Sequence, residues 1–333
     1  MSQLALITAP NDGLADIPLP ALFKALGDDL RTQLLRVMSG DSFSVSELCD
    51  IFGIRQSALS HHLKILVQAD LLARKREGTA LFYRRQIPKG CYRTLRLAAL
   101  SDIDAQPLPD KLAQGMRAVQ KQREENSSAF FRDHAAQLRE QQELIAPWED
   151  YSAASIELLD NLNWPTLSSV LEIGPGDGAF LPALAQRARH VIALDNAPSM
   201  LAQAKRCAGH LRHIQFVEGN TCDALTLKLS AQLVVANMVL HHTPDPRQVM
   251  AEAAALIQPG GALLISELCA HDQAWAREHC GDLWLGFDPD TLSSWAREAG
   301  LADGANVFLG QRNGFQVQVR LFHKTVTSEG LSA

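Results

Sequence analysis

The 333-residue sequence has no Cys-x-x-Cys pair, no internal repeat, no low-complexity tract and no apolar run near the ~18 residues of a membrane span. Its six cysteines (Cys49, Cys91, Cys207, Cys222, Cys269, Cys280) lie scattered. That pattern argues against a disulfide framework and against a closed zinc site, and it fits a reducing cytoplasm. The stretch before Leu22 lacks the basic start of a secretory signal. Apolar residues make up 47% and charged residues 20%, values that exclude a disordered or fibrous chain. The length exceeds what one hydrophobic core usually holds, so two domains are expected.

Charge is scarce in one sense and unevenly placed in another. The net charge is −6, yet residues 1–100 hold 13 Lys and Arg against 9 Asp and Glu, and residues 101–333 hold 18 against 28. Such asymmetry points to a polyanion as the partner of one half only.

Leu22, Phe23, Leu26, Leu30, Leu34, Leu35 and Met38 recur at helical spacing, interrupted at Gly27-Asp28 and stopped at Ser39-Gly40. Ser46 is read as the cap of a short helix that ends at Gly53, and Gln56 to Ala69 as another helix. The basic run Leu71–Arg76, a turn at Glu77-Gly78 and the alternating Ala80–Tyr83 read as a hairpin. On the helix from Gln56, the residues Leu59, His62, Leu63 and Leu66 share an inward face, and Gln56, Ser57, Ser60, His61 and Lys64 share an outward one. Short polar side chains on a helix after a tight turn suit base edges in the major groove. Arg74, Lys75, Arg76, Arg84 and Arg85 add cations for phosphates.

The stretch SELCDIFGIRQSALSHHLKILVQADLL followed by KREGTALFYRR resembles the winged helix-turn-helix of the ArsR/SmtB repressors over residues 20–100. The resemblance implies a symmetric homodimer on an inverted-repeat operator in double-stranded DNA, with Gln56, Ser57, Ser60 and His61 over bases. Metal sensing does not follow from it. Cys49 stands alone where the arsenic-sensing type carries two thiols, and the adjacent His61 and His62 point to different helix faces. No metal site is expected.

Ser101 to Pro109, with two prolines and two aspartates, reads as a linker, and residues 111–145 as one or two exposed helices. From Val170 onward VLEIG, VIALD, IQFVEG, QLVVAN and GALLIS alternate with helical stretches, which predicts a parallel sheet covered by helices. NVFLG and FQVQVRLF flank Gln311-Arg312-Asn313-Gly314, so the sheet is expected to finish in an antiparallel hairpin. The fold class is therefore α/β, with an amino-terminal winged helix-turn-helix at 18–100, a linker and helices at 101–150, and a Rossmann-like seven-stranded domain at 151–326.

In VLEIGPGDGAF, residues 170–180, a strand ends at Ile173 and Gly174, Gly176 and Gly178 form a bend that opens a helix. Bare backbone is needed where a chain turns sharply and a ligand approaches the peptide. Asp195 ends the next strand 23 positions after Glu172, where a carboxylate can accept from ribose hydroxyls. A nicotinamide nucleotide and S-adenosylmethionine both fit this much. The Gly-x-Gly-x-Gly spacing and the acidic Glu172, which suits a cationic sulfonium with an ammonium group, favour the adenosyl ligand over a pyrophosphate.

Residues 130–324 resemble the class I S-adenosylmethionine-dependent methyltransferases. By that resemblance Glu172, Gly174 and Gly176 line the methionine part, Gly178 belongs to the same cofactor-binding bend, Asp195 takes the ribose, and Asn196 and Met200 flank the adenosine. Gly219-Asn220 replaces the family's Gly-Asp, so adenine binding is modified at Asn220. The segment Asn237 to His242 matches the one beside the transferred methyl group. His241 or His242 can serve as a base or simply as a loop residue, and Trp275, Trp284, Leu285 and Phe287 can cover an acceptor or pack the helix onto the sheet.

The pairing of these two domains is similar to the regulators of methionine and S-adenosylhomocysteine recycling. It implies a regulator of methionine-cycle genes with S-adenosylmethionine or S-adenosylhomocysteine as effector. A working methyltransferase with an autoregulatory DNA-binding domain remains the alternative. The helices of 111–145 are expected to pack near the adenosyl pocket and the dimer interface.

Overall fold

A computed structural model describes residues 17–77, 80–86, 90–134, 144–162, 164, 166–273 and 275–325. The chain divides into two compact units, 1–119 and 120–333.

The first unit begins with α1 (Leu19–Leu26) and α2 (Asp29–Val37), separated at Gly27 and restarted by Asp28, whose carboxylate accepts from the Arg31 amide. β1 (Phe43–Ser44) leads into α3 (Val45–Phe52), and α4 follows at Gln56–Gln68. The cap of α3 is Ser44, not Ser46: its hydroxyl accepts from the Glu47 amide and Glu47 accepts from the Ser44 amide. The reciprocal pair satisfies two orphan donors, which a cap at Ser46 cannot do because Glu47 would then stand at the first position. Gly53 adopts φ +65° and turns the chain from α3 to α4.

β2 (Leu72–Glu77) and β3 (Ala80–Arg85) pair antiparallel, and β1 joins the free edge of β3. The turn residues Gly78 and Thr79 lie outside the described residues. α5 (Arg93–Asp104) runs through the first four residues of the expected linker, leaving only residues 105–109 irregular before α6 (Asp110–His134). Ser101 to Asp104 holds no proline, and Ile103 buries itself in the core of this unit, so burial extends the helix. Leu34, Leu35, Leu48, Leu59, Leu63 and Leu66 form that core with Phe43 and Leu22. The part of the helical 111–145 stretch from 135 to 143 lies outside the described residues.

In the second unit seven strands form one sheet: β4 (Val170–Ile173), β5 (Val191–Asp195), β6 (Ile214–Glu218), β7 (Ala231–Asn237), β8 (Ile257–Leu268), β9 (Leu301–Gly310) and β10 (Gln316–Lys324). Their order is β6-β5-β4-β7-β8-β10-β9. The first five strands in that order are parallel, and β10 pairs antiparallel with both β8 and β9. Residues on one face of the sheet, such as Val170, Val191, Leu233 and Leu264, feed one core. Their neighbours Leu171, Ile192, Val234 and Leu263 feed the other. Both faces are covered by helices, which is why these strands read as continuous apolar runs. Among the described residues no helix is long and apolar enough to cross a membrane.

The bend before β10 differs from the tight turn expected of Asn-Gly. Residues 311–315 form a wider loop in which the Gln311 amide donates to the Phe315 carbonyl, and Gly314 alone has positive φ. Asn313 is drawn out of the turn because its amide donates to the carbonyls of Leu144 (2.7 Å) and Ile145 (2.8 Å).

Candidate functional site

Two places carry chemistry, one in each unit. On α4, Gln56, Ser57, Ser60, His61 and Lys64 are all exposed, and Leu59, Leu63 and Leu66 are buried. The Ser60 hydroxyl donates to the Gln56 carbonyl at 2.8 Å, one turn back. His62, expected inside, is half-buried beside Arg31 and Asp28. Arg74 and Arg84 are exposed on the hairpin, and Lys75 and Arg76 belong to β2 by backbone, their side chains lying outside the described residues. Arg85 is instead paired with Asp104 at 2.7 Å, so α5 claims the charge that the sequence reading assigned to phosphate.

The second unit holds a concave cleft that is open to solvent on one side. It opens at the carboxyl ends of β4 and β7, where ligands bind in open α/β sheets. Glu172, Gly174, Gly176, Asn237, His241 and His242, all anticipated from sequence, line it together with Asp177, Tyr151 and Asp282.

The three glycines do different work. Gly174 (φ +60°) has Val239 Cγ2 at 2.7 Å from where a Cβ would stand, and Gly178 (φ +84°) has the Ala204 Cα at 2.9 Å. Gly178 therefore lets two backbones pack. Gly176 (φ +58°) faces open space, with nothing within 4 Å of a Cβ position. Room for a ligand against bare backbone exists there.

Glu172 lies on β4, 1% exposed, and its Oε2 has no hydrogen-bond partner among the described residues. Burial, followed by the charges of Asp177 and Asp195, pushes its carboxyl up to about 8. Asn237 Oδ1 is likewise buried and unpartnered. Both groups call for a donor or a cation from a ligand.

Asp195 ends β5 beside this bend, with Oδ1 accepting from the Ala197 amide at 2.8 Å. Burial raises its carboxyl to about 6 against that hydrogen bond. Asn196 is exposed and Met200 buried on the following turn. Asn220 is half-buried, and its Oδ1 accepts from the Asp223 amide as a helix cap. That use leaves its oxygen committed to the helix. Asp195, Asn196, Met200, Asn220 and Gly178 do not line the cleft itself.

His241 and His242 follow β7 in a 3-10 turn, both buried, with ring centroids 4.0 Å apart. Met238 at φ +54° sets the turn. Glu267 of β8 accepts from His241 Nδ1 and, through Oε2, from the His241 amide. Burial opposes charge on His241, yet Glu267 and Asp282 outweigh it and lift the imidazole to about 9. Burial and the neighbouring His241 charge drive His242 well below its ordinary value. Glu267 and Asp282 escaped the sequence reading. Neither stands in a motif, and only the sheet brings them to the histidines. Trp284, Leu285 and Phe287 pack: the Trp284 indole donates to the Thr243 carbonyl, and Leu285 and Phe287 are buried in the cores.

Residues 28–74 match the model of the bacterial regulatory proteins of the arsR family, and residues 171–265 match a methyltransferase domain. The chain thus joins an arsR-type helix-turn-helix to a methyltransferase domain. A ubiquinone biosynthesis O-methyltransferase of Stutzerimonas stutzeri is 29% identical over 150 residues, 40% of this chain and 64% of that relative. An uncharacterized 37.1 kDa protein in transposon TN4556 of Streptomyces fradiae is 34% identical over 116 residues, 33% of each chain. The chain therefore spans less than two thirds of the length of these relatives. Among solved structures, the N-methyltransferase NodS of Bradyrhizobium japonicum, in complex with S-adenosyl-L-homocysteine, is 19% identical. It covers 60% of this chain and 98% of its own, with a TM-score of 0.49.

Proposed function

We propose that this protein is a DNA-binding transcriptional regulator whose methyltransferase domain takes S-adenosylmethionine or S-adenosylhomocysteine as effector and controls methionine-cycle genes. The observation that carries the reading is Glu172, a buried carboxylate with an orphaned oxygen, standing beside the open backbone at Gly176. A ligand with an ammonium group, and in one form a sulfonium, satisfies that oxygen. Glu172, Gly174, Gly176 and Asn237 would hold the methionine part. Asp195 would take the ribose, with Asn196 and Met200 flanking the base and Asn220 near its edge. S-adenosylmethionine, when bound, supplies an electrophilic methyl group.

DNA recognition falls to the exposed row Gln56, Ser57, Ser60, His61 and Lys64, with Arg74, Lys75 and Arg76 on phosphates. The reading includes a homodimer on the DNA, as the resemblance to the ArsR/SmtB repressors implies. The helix α6 contributes Leu112 and Val119 to the first core, and Gln120 donates to Asp245 at 3.0 Å in the second unit. It is the element proposed to carry the response. An effector shifts operator binding only by holding the two states of the protein unequally.

The second reading is a working methyltransferase. It is favoured by His241, His242 and Tyr151, which line the same cleft as Glu172 and are more than ligand retention requires. Calorimetry of the full chain with both adenosyl ligands, paired with operator gel shifts, tests the order. A shift altered by S-adenosylhomocysteine without turnover supports the regulator. Turnover with unchanged DNA affinity reverses it.

A further inference from the structure

We propose that His241, His242 and Asp282 form a binding site for one divalent transition-metal ion in the wall of the cleft. The proposal does not depend on the adenosyl reading. One donor atom from each residue lies within 4.8 Å of the others, and all three residues are buried. The elements that deliver them are far apart in sequence: the 3-10 turn after β7 and the loop that follows the helix Trp275–Cys280. That loop is fastened to the turn, because the Leu283 and Trp284 amides both donate to the His241 carbonyl, at 2.9 and 3.0 Å.

Three features favour an ion over a simple polar cluster. Asp282 is 3% exposed, yet neither of its carboxylate oxygens has a hydrogen-bond partner among the described residues. Its Oδ1 lies 3.8 Å from His241 Nε2 and 3.8 Å from His242 Nδ1, too far to bond either ring directly; His242 Nδ1 instead donates to the Gly281 carbonyl at 3.3 Å, a bond and a proton that an ion would displace. Two ligands ~2.0–2.1 Å from one tetrahedral ion stand about 3.3–3.4 Å apart, so each Asp282–imidazole gap has to close by about half an ångström and the two imidazole nitrogens, within 4.8 Å of one another, have to draw together as well. Finally, Glu267, fully buried, takes the Nδ1 proton of His241 and leaves Nε2 facing Asp282. A carboxylate behind an imidazole is the usual outer partner of a metal-bound histidine.

Two imidazoles of borderline softness with one hard carboxylate form a set matched to zinc, cobalt or ferrous ion rather than to magnesium or calcium, which take oxygen donors throughout. Three protein ligands leave an open position, and the same residues line the cleft, so that position faces an incoming molecule. A hydroxyl or thiol compound that ionises on the metal fits it. The rival occupant is a proton: an imidazolium at His241 between Glu267 and Asp282 satisfies both carboxylates without an ion.

The test is a titration of the full chain, freed of metal by chelation, with cobalt(II), followed by visible absorption and competed with zinc. One equivalent with the intense bands of a four-coordinate ion is expected. Asp282→Asn and His242→Gln should each remove those bands. Glu267→Gln should weaken binding about 10–100-fold, and His210→Gln on the surface should change nothing. Circular dichroism checks that each variant is folded, and His242→Gln keeps the test alive if Asp282→Asn does not fold. Absence of the bands at millimolar cobalt, or their persistence in both ligand variants, overturns the site.

Discussion

Arg96 of α5 grips Asp70, the residue that ends the turn after α4, with Nη1 2.7 Å from Oδ2. Arg96 is 3% exposed and also donates to the Cys91 carbonyl, so α5 holds the end of α4 from behind. Asp70 sits at φ +52°, a conformation that an aspartate tolerates better than most side chains.

Asp70→Ala should therefore leave a buried guanidinium short of its anion and cost about 1.5–3 kcal/mol. Urea unfolding of the full chain should show an earlier first transition, with the second unit unmoved. An unchanged profile would mean the ion pair is ornamental.

The bend at Gly174–Gly178 yields a contrast between two substitutions. Gly176→Ala meets no neighbour, so it should cost only the left-handed strain of roughly 1–2 kcal/mol while blocking the ligand's approach. Gly178→Ala forces a Cβ against the Ala204 backbone at 2.9 Å and should destabilise the domain more. Thermal melts with calorimetry on the adenosyl ligands separate the two. Equal loss of binding and stability in both variants would contradict the division of labour.

If Glu172 holds the proposed ligand, binding should depend on pH. Its folded value of about 8 exceeds its ordinary 4.5. In the free protein its contribution to stability is present below the unfolded value and is lost as pH rises through the folded one, ~1.4 kcal/mol for each unit of displacement. A cationic ligand reverses the preference by selecting the carboxylate. From pH 7 to 9 the charged fraction rises from roughly one tenth to nine tenths, so affinity should increase about tenfold. Glu172→Gln should bind weakly with no such slope, and its free form should be the more stable at pH 9. A slope that persists in the variant assigns it elsewhere.

Asp195→Ala tests the ribose site. One oxygen already serves the Ala197 amide, so the substitution removes a helix-terminal bond as well as a ligand contact worth ~1.5–3 kcal/mol. DNA should still be bound, without response to the ligand. An unaltered response would place the effector away from Asp195.

On α4, Gln56→Ala should relax base preference by about 1–3 kcal/mol at one position, whereas Lys64→Ala should weaken all sequences alike and lower the salt dependence. Binding isotherms on operator and random duplex over a salt series distinguish them.

How far the sequence reached depended on whether the signal was local. The α4 face was legible because Leu59, Leu63 and Leu66 recur at helical spacing, and the glycine bend because three glycines and Glu172 stand together. Ser44 was missed as a cap because Ser46 also offers a hydroxyl and only the reciprocal bond with Glu47 decides between them. Arg85 looked like a phosphate contact until α5 brought Asp104 to it. Glu267 and Asp282 were out of reach, since the first lies within an apolar strand and the second in a loop some forty residues past the histidines.

The grip of Asn313 on the Leu144 and Ile145 carbonyls reaches beyond its own loop. Ile145 and the residues just after it, through Trp148, form one side of the cleft. The outermost hairpin is thus a doorpost for the ligand's entrance. Trimming it would unhinge that wall even though no atom of β9 or β10 belongs to the chamber, so truncations there should be scored for binding as well as for folding.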